Sequence, residues 1–440
     1  MSSVTIIGAG WAGLAAAIEL SRHNVAVTVY ESAKQIGGRA RDVETSNTTL
    51  DNGQHLMIGA YNQLLALLKI IGTAEYDVFQ RINMQIILLD LATGNTAFEL
   101  NIPSWPAPFH LLAGMLGSKP LSFTEKLKTL WLFNKILKRK LGTDISVTDW
   151  LKRSNLPDRY CVHLLKPLCL AALTTHPDQA SARAFQTVLQ QTFIGARTNT
   201  DLLIAKTTLG KLFPESAKRY IEYHGGKILT SSKVNSIDPV KKTLTVNDNT
   251  ENYKHLILAT PAAITLQLLQ AHSAFLQSTH KLSQLQHEPI CTVYLQYPAE
   301  VKLPLPMMGC IHASSEWIFD RQYCNQPGLM AVIISANGEH MLWSNDEFIA
   351  KITTELAQLF PAWPAPLHTQ VIRDKRAAFR CHPHIDDIRP AINTADTLIK
   401  LCGDYVYIED NLDAGLPATL EGAVRAGVKS AQLTLQEMQT

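Results

Sequence analysis

Val4-Thr5-Ile6-Ile7 is a short β-branched run, which predicts a buried strand. It breaks at Gly8-Ala9-Gly10-Trp11-Ala12-Gly13, and Leu14-Ala15-Ala16-Ala17-Ile18-Glu19-Leu20 follows as strong helix-forming sequence. A second strand-like run, Val25 to Tyr30, ends in Glu31. Further on, Gly225-Gly226-Lys227-Ile228 through Val234 reads as one strand, and Leu256-Ile257-Leu258-Ala259-Thr260-Pro261 as a strand returning to the same sheet. Leu398 to Leu401 reads as a strand closing on Cys402-Gly403-Asp404, with a small-residue helix beyond it through Gly427. Between these pieces, 85–205 is helix-rich, and 280–370 carries strand-like runs such as Cys291 to Tyr297 and Leu329 to Ser335.

Strand, glycine turn, helix, strand and acid in that order make a dinucleotide-binding unit. Each residue type has a physical task. Gly8 permits the tight turn, Gly10 lets the backbone approach a pyrophosphate, and Gly13 lets the helix pack on the strand. The helix N-terminus at Trp11 and Ala12 supplies N–H donors and positive potential. Glu31 stands at the spacing of an acid that accepts hydrogen bonds from an adenosine ribose. Just beyond it, Ile36-Gly37-Gly38-Arg39-Ala40-Arg41 allows a loop to fold back with its guanidinium near the phosphates. A nicotinamide dehydrogenase has no need of that loop.

The cofactor motifs sit at opposite ends of the chain, so the domain that carries them must be discontinuous. The predicted class is α/β: a discontinuous Rossmann-like dinucleotide-binding domain (1–84, 206–279 and 371–440), the FAD-binding domain on the resemblance that follows, with an inserted α+β substrate domain (85–205 and 280–370). At about 150 residues per domain, 440 residues accommodate two to three. Charges nearly cancel, 40 basic against 38 acidic, which argues against bulk electrostatic binding of nucleic acid. Seven scattered cysteines without a C-x-x-C pair fit a reducing compartment and thiols that serve as small apolar side chains. The N-terminus lacks the basic flank of a signal peptide, and no apolar run reaches the roughly eighteen residues of a spanning helix. The chain therefore reads as cytoplasmic.

Gly37-Gly38-Arg39 after the dinucleotide unit resembles the FAD-dependent amine oxidase and carotenoid desaturase superfamily. The resemblance implies that FAD lies along Gly8, Gly10, Trp11, Ala12, Gly13, Glu31, Gly38, Arg39 and Ala40, with Val234 near the adenine. It also implies that Gly53 and Gln54 pass close to the isoalloxazine, and that Gly403-Asp404 holds the ribityl chain. Ala418 and Thr419, at the start of the last helix, then face the flavin pyrimidine ring. Within the superfamily, Leu50 to Tyr61, Pro167 to Leu173 and Gly415 to Ala423 look like the squalene-associated flavoproteins, the hydroxysqualene dehydroxylases of bacterial hopanoid-type pathways. Two departures stand out. Thr174-Thr175 occupies the place of an expected Asn-Thr, and an insertion-like Tyr405 to Asp413 follows Gly403-Asp404.

The resemblance implies reductive removal of an allylic hydroxyl from a C30 isoprenoid, giving squalene. Hydroxide is a poor leaving group, so such a reaction needs an acid. His55, in the Gly-Gln-His stretch, is the first candidate because its ordinary pKa suits a proton donor. Glu421 is the second, and Asp51 reads as a structural cap. No Ser-His-Asp set or metal-ligand spacing stands out. The alternatives are an oxidative carotenoid-type desaturase or amine oxidase, and a non-catalytic prenyl-lipid escort. No second dinucleotide motif names an electron donor.

Between Lys119 and Lys140, seven basic residues (Lys119, Lys126, Lys128, Lys135, Lys138, Arg139, Lys140) face one acid, Glu125. Phe123, Leu127, Trp131 and Phe133 are interleaved with them, which suits peripheral contact with an anionic membrane on its inner face. The competing expectation is a helix with one buried face and one solvated basic face.

Overall fold

The computed structural model describes residues 3–45, 48–139, 141–408 and 415–439. Its centre is a five-stranded parallel sheet, in the order Lys227–Leu229, Ala26–Tyr30, Ser3–Ile7, His255–Leu258, Ile399–Leu401. The β-branched Ser3–Ile7 strand is the middle one, which is why it carries almost no solvent-directed polar side chain. Helix Trp11–Ser21 is buried all round. Its small residues let the C-terminal helix Leu420–Glu437 come so close that a Cβ at Gly427 would stand 2.2 Å from the Ala12 carbonyl oxygen. The two ends of the chain are locked together in this way, and each brings a helix N-terminus to the same cleft.

One strand expectation is corrected. Gly225 through Val234 does not form one strand: Lys227–Leu229 ends, and Val234–Asp238 begins a separate antiparallel sheet with Thr243–Val246 and Asn249–Asn252. The cause lies at Ser231 and Ser232. Their amides donate to the carbonyls of Ala33 and Glu31, and Ser231 takes a positive φ of 53°, so the chain turns off the parallel sheet toward the loop after the second strand.

A second, seven-stranded mixed sheet runs in the order 368–379, 287–296, 329–335, 317–320, 307–311, 85–90, 95–101. Alternation along its strands divides two faces. Val332 and Ile334 pack toward helix Asn345–Leu359, whereas Ile333 faces a cavity. Helices Lys166–Leu173 and Ala182–Phe193 wall the same cavity with Leu168, Phe185 and Leu189.

Candidate functional site

One continuous cavity of about 740 Å³ joins the parallel sheet to the second sheet. At the first end it is lined by Gly8, Gly10, Trp11, Ala12, Glu31, Gly38, Arg39, Ala40, Val234, Gly403, Asp404, Ala418 and Thr419. Gln54, His55 and Glu421 also line it. At the other end the walls are apolar, from Met84, Ile86, Phe185, Leu189, Met307, Trp317 and Phe319. Gly13 and Gly53 lie off the cavity. Gly13 is a packing glycine, because a Cβ there would meet the Gly8 carbonyl oxygen at 2.0 Å. Gly53 offers its carbonyl to the His55 ring, and a Cβ there would meet open space.

The residues present fit an FAD. At Gly10 a Cβ would meet only Gly38 Cα, at 3.8 Å, so the space in front of this turn belongs to the cavity and not to protein. Gly8 differs: a Cβ there would strike the Ala259 carbonyl at 2.5 Å. The indole of Trp11 donates to the Ala40 carbonyl (3.0 Å) and ties the Gly-Gly-Arg loop to the first helix. Glu31 accepts from the amides of Ala9 and Ala33, both at 2.8 Å, which fixes its carboxylate at the mouth of the turn. Thr419 caps the last helix by accepting from Gly422 N–H at 3.0 Å. Arg39 has two partners of its own within the cavity wall. Its guanidinium donates to Asp404 (2.7 Å) and to the Ala377 carbonyl (2.6 Å), and the Asp404 charge holds its pKa above the ordinary value. Arg39 and Asp404 are therefore one linked pair on the cavity wall.

His55 Nδ1 lies 3.0 Å from the Gly53 carbonyl oxygen. A carbonyl only accepts, so Nδ1 carries the proton and Nε2 of the neutral ring is a lone pair. Burial pushes the His55 pKa below its ordinary value. The ring can donate from Nε2 only after it has taken up a second proton. Glu421 is engaged elsewhere. Its carboxylate accepts from the amides of Gln63 (2.9 Å) and Leu64 (3.0 Å) and from Arg425 (2.7 Å), which caps helix Asn62–Ile70. Burial raises the Glu421 pKa against the pull of Arg425 and those amides.

Arg321 was not legible in the sequence. It is 1% exposed, pairs with Asp51, and donates to Gln54 Oε1 (2.6 Å) and, through Nε, to Gln326 (3.0 Å). Asp51 also accepts from Leu209 N–H (2.8 Å), the first residue of helix Leu209–Leu212, in keeping with a cap. This cross-link lies beneath Gln54 and His55 and holds the Gly53-Gln54-His55 stretch to the second sheet. No local motif announces it, because Asp51 and Arg321 are 270 positions apart.

The chain matches hydroxysqualene dehydroxylases along its whole length. It is 25% identical to that of Sinorhizobium fredii, over 100% of this chain and 99% of the relative. With that of Rhodopseudomonas palustris it shares 27%, over 98% of each. Among solved structures, an oxidoreductase from Methanosarcina mazei superposes with a TM-score of 0.76 at 17% identity, covering 98% of this chain and 99% of that one. The family model described as flavin containing amine oxidoreductase matches residues 11–435. With the glycine turns, the acid and the Arg39–Asp404 pair on one cavity, the chain belongs to this family and is an FAD-dependent oxidoreductase.

Proposed function

We propose that the protein catalyses reductive dehydroxylation of hydroxysqualene to squalene. The observation that carries this reading is the continuity between the cofactor end of the cavity and its long apolar end, supported by full-length likeness to hydroxysqualene dehydroxylases. When bound in reduced form along the glycine turns and the Arg39–Asp404 pair, FAD would supply a hydride to the alcohol carbon and be left oxidised, the hydroxyl leaving with a proton as water. The chain does the rest. Its apolar walls exclude water that would recapture an allylic cation. His55 delivers the proton to the departing hydroxyl, while Glu421, with three donors on its carboxylate, keeps the adjoining helices in place. The test is anaerobic incubation of dithionite-reduced holoenzyme with hydroxysqualene. Squalene and oxidised flavin are expected in equal amounts. Persistent reduced flavin with no hydrocarbon would overturn the reading.

The substrate has to come from a bilayer, and helix Phe123–Lys138 supplies a docking face in the same proposal. Leu132, Phe133, Ile136 and Leu137 point inward. Phe123 (69% exposed), Leu127 and Trp131 (66% exposed) form an outward ridge, joined by exposed Trp105 and Phe109. A helix with only a solvated basic face would not carry that apolar ridge. Lys128, Lys135 and Lys138 lie beside it; Lys140 is outside the described residues. No helix among the described residues is long and apolar enough to cross a membrane. Reversing Lys128, Lys135 and Lys138 to Glu should lower partition onto phosphatidylserine vesicles about a hundredfold. Raised salt should weaken the parent in the same sense. Equal sedimentation of parent and variant with vesicles would return the ridge to solvent.

A further inference from the structure

Helix Lys166–Leu173 ends at Thr174, which adopts φ 49° and ψ 32° in the left-handed region. That region suits glycine or asparagine, and a β-branched residue is strained there. Of the other non-glycine residues with positive φ among the described residues, four are asparagine (Asn24, Asn155, Asn247, Asn325), the rest are Ser231, Lys242, His312, Ala336 and His384, and none is β-branched. Thr174 is also 6% exposed and lines the cavity, and its hydroxyl has no hydrogen-bond partner among the described residues. Neighbouring hydroxyls are occupied. Thr175 Oγ1 donates to the Leu173 carbonyl and accepts from Cys381 N–H, both at 3.0 Å. Thr192 Oγ1 donates back to Val188 at 2.8 Å. A strained, cavity-lining residue whose hydroxyl is unspent while its neighbours' hydroxyls are bonded is explained by what that hydroxyl binds.

We propose that Thr174 is a specificity-determining residue, whose hydroxyl bonds the alcohol oxygen of the substrate and so selects hydroxylated over hydroxyl-free C30 chains. This rests on the dehydroxylation reading above. The position is suitable. Cys381, bonded to Thr175, is four residues beyond Ala377, whose carbonyl accepts from Arg39, so the two contacts lie at most ~14 Å apart along the chain. Thr174, Arg39 and Asp404 all line the one continuous cavity, so a substrate held at Thr174 shares the space that opens on Arg39 and Asp404. A single hydrogen bond there also sets which part of a long, nearly featureless hydrocarbon stops at the reacting centre.

The experiment measures binding of hydroxysqualene and of squalene to oxidised holoenzyme by flavin fluorescence, where no turnover occurs. Two substitutions both relieve the left-handed strain: Thr174→Gly removes the polar group, and Thr174→Asn keeps one. The parent is expected to prefer the alcohol, Thr174→Gly to lose roughly tenfold of that preference, and Thr174→Asn to retain it. Flavin content and thermal midpoint of both variants should match or exceed the parent's, since neither introduces strain. Retention of the alcohol preference in Thr174→Gly overturns the assignment. Loss in both variants also overturns it, because strain and not the hydroxyl would then be the common factor. A parent that binds alcohol and hydrocarbon equally would instead sink the dehydroxylation reading, and Thr174 with it.

Discussion

Gly10→Val is expected to give a folded, colourless protein. Gly10 holds φ −72° and ψ 176°, an extended conformation that valine adopts without strain, so the backbone has no objection to the substitution. The Cβ of the new side chain comes no closer than 3.8 Å to Gly38 Cα. It stands instead in the cavity in front of the first helix, where a pyrophosphate would reach the helix N-terminus. Flavin retention should fall by about 10³-fold or more, since the approach to those amides is filled rather than weakened. Absorbance near 450 nm per mole of purified protein, with thermal unfolding alongside, measures both halves of the claim. Gly13→Val provides the contrast. Its Cβ would sit 2.0 Å from the Gly8 carbonyl oxygen, so that variant should lose the fold and not only the cofactor. A yellow Gly10→Val protein would refute the phosphate role of this turn.

The contrast between Gly10 and Gly13 also marks what a sequence can reveal. The glycine turn was legible because its demands are local: a carbonyl, a helix start and a ligand compete for space within six residues, and only glycine meets them. The central strands themselves followed from runs of β-branched residues that have no solvated face, whereas their order in the sheet came only from the structure. Other features depend on groups far apart in the chain. Val234 was legible as apolar, but not as the start of a new sheet, since the turn before it is set by carbonyls of Glu31 and Ala33 some two hundred positions earlier. The Arg39–Asp404 link and the Arg321–Asp51 pair are equally non-local. Their charges are visible in the sequence, but the distances that make them partners are not. Thr174 is intermediate. Its departure from an expected asparagine was visible, and only the left-handed φ says why asparagine would be at home there.

The largest kinetic effect is expected at His55. As the proton donor it must be doubly protonated before it can give up a proton from Nε2, because Nδ1–H is committed to the Gly53 carbonyl. Burial holds its pKa below the ordinary 6.5, so the neutral ring predominates at neutral pH and the active fraction grows as pH falls. The parent's kcat/KM should therefore rise about tenfold for each unit that pH is lowered toward the depressed pKa, and level off below it. His55→Ala should leave FAD bound, slow dehydroxylation by roughly 10²–10⁴-fold and abolish that slope. An allylic ester analogue departs as a carboxylate and needs no proton, so it should recover most of the loss on the flavin-saturated variant. A His55 that only braces the loop predicts the opposite pattern: weaker flavin binding, equal losses on alcohol and ester, and a pH slope that survives the substitution. Equal losses on the two substrates would remove His55 from the proton path and return the question to Glu421, whose three bound donors would then have to be released before it could act.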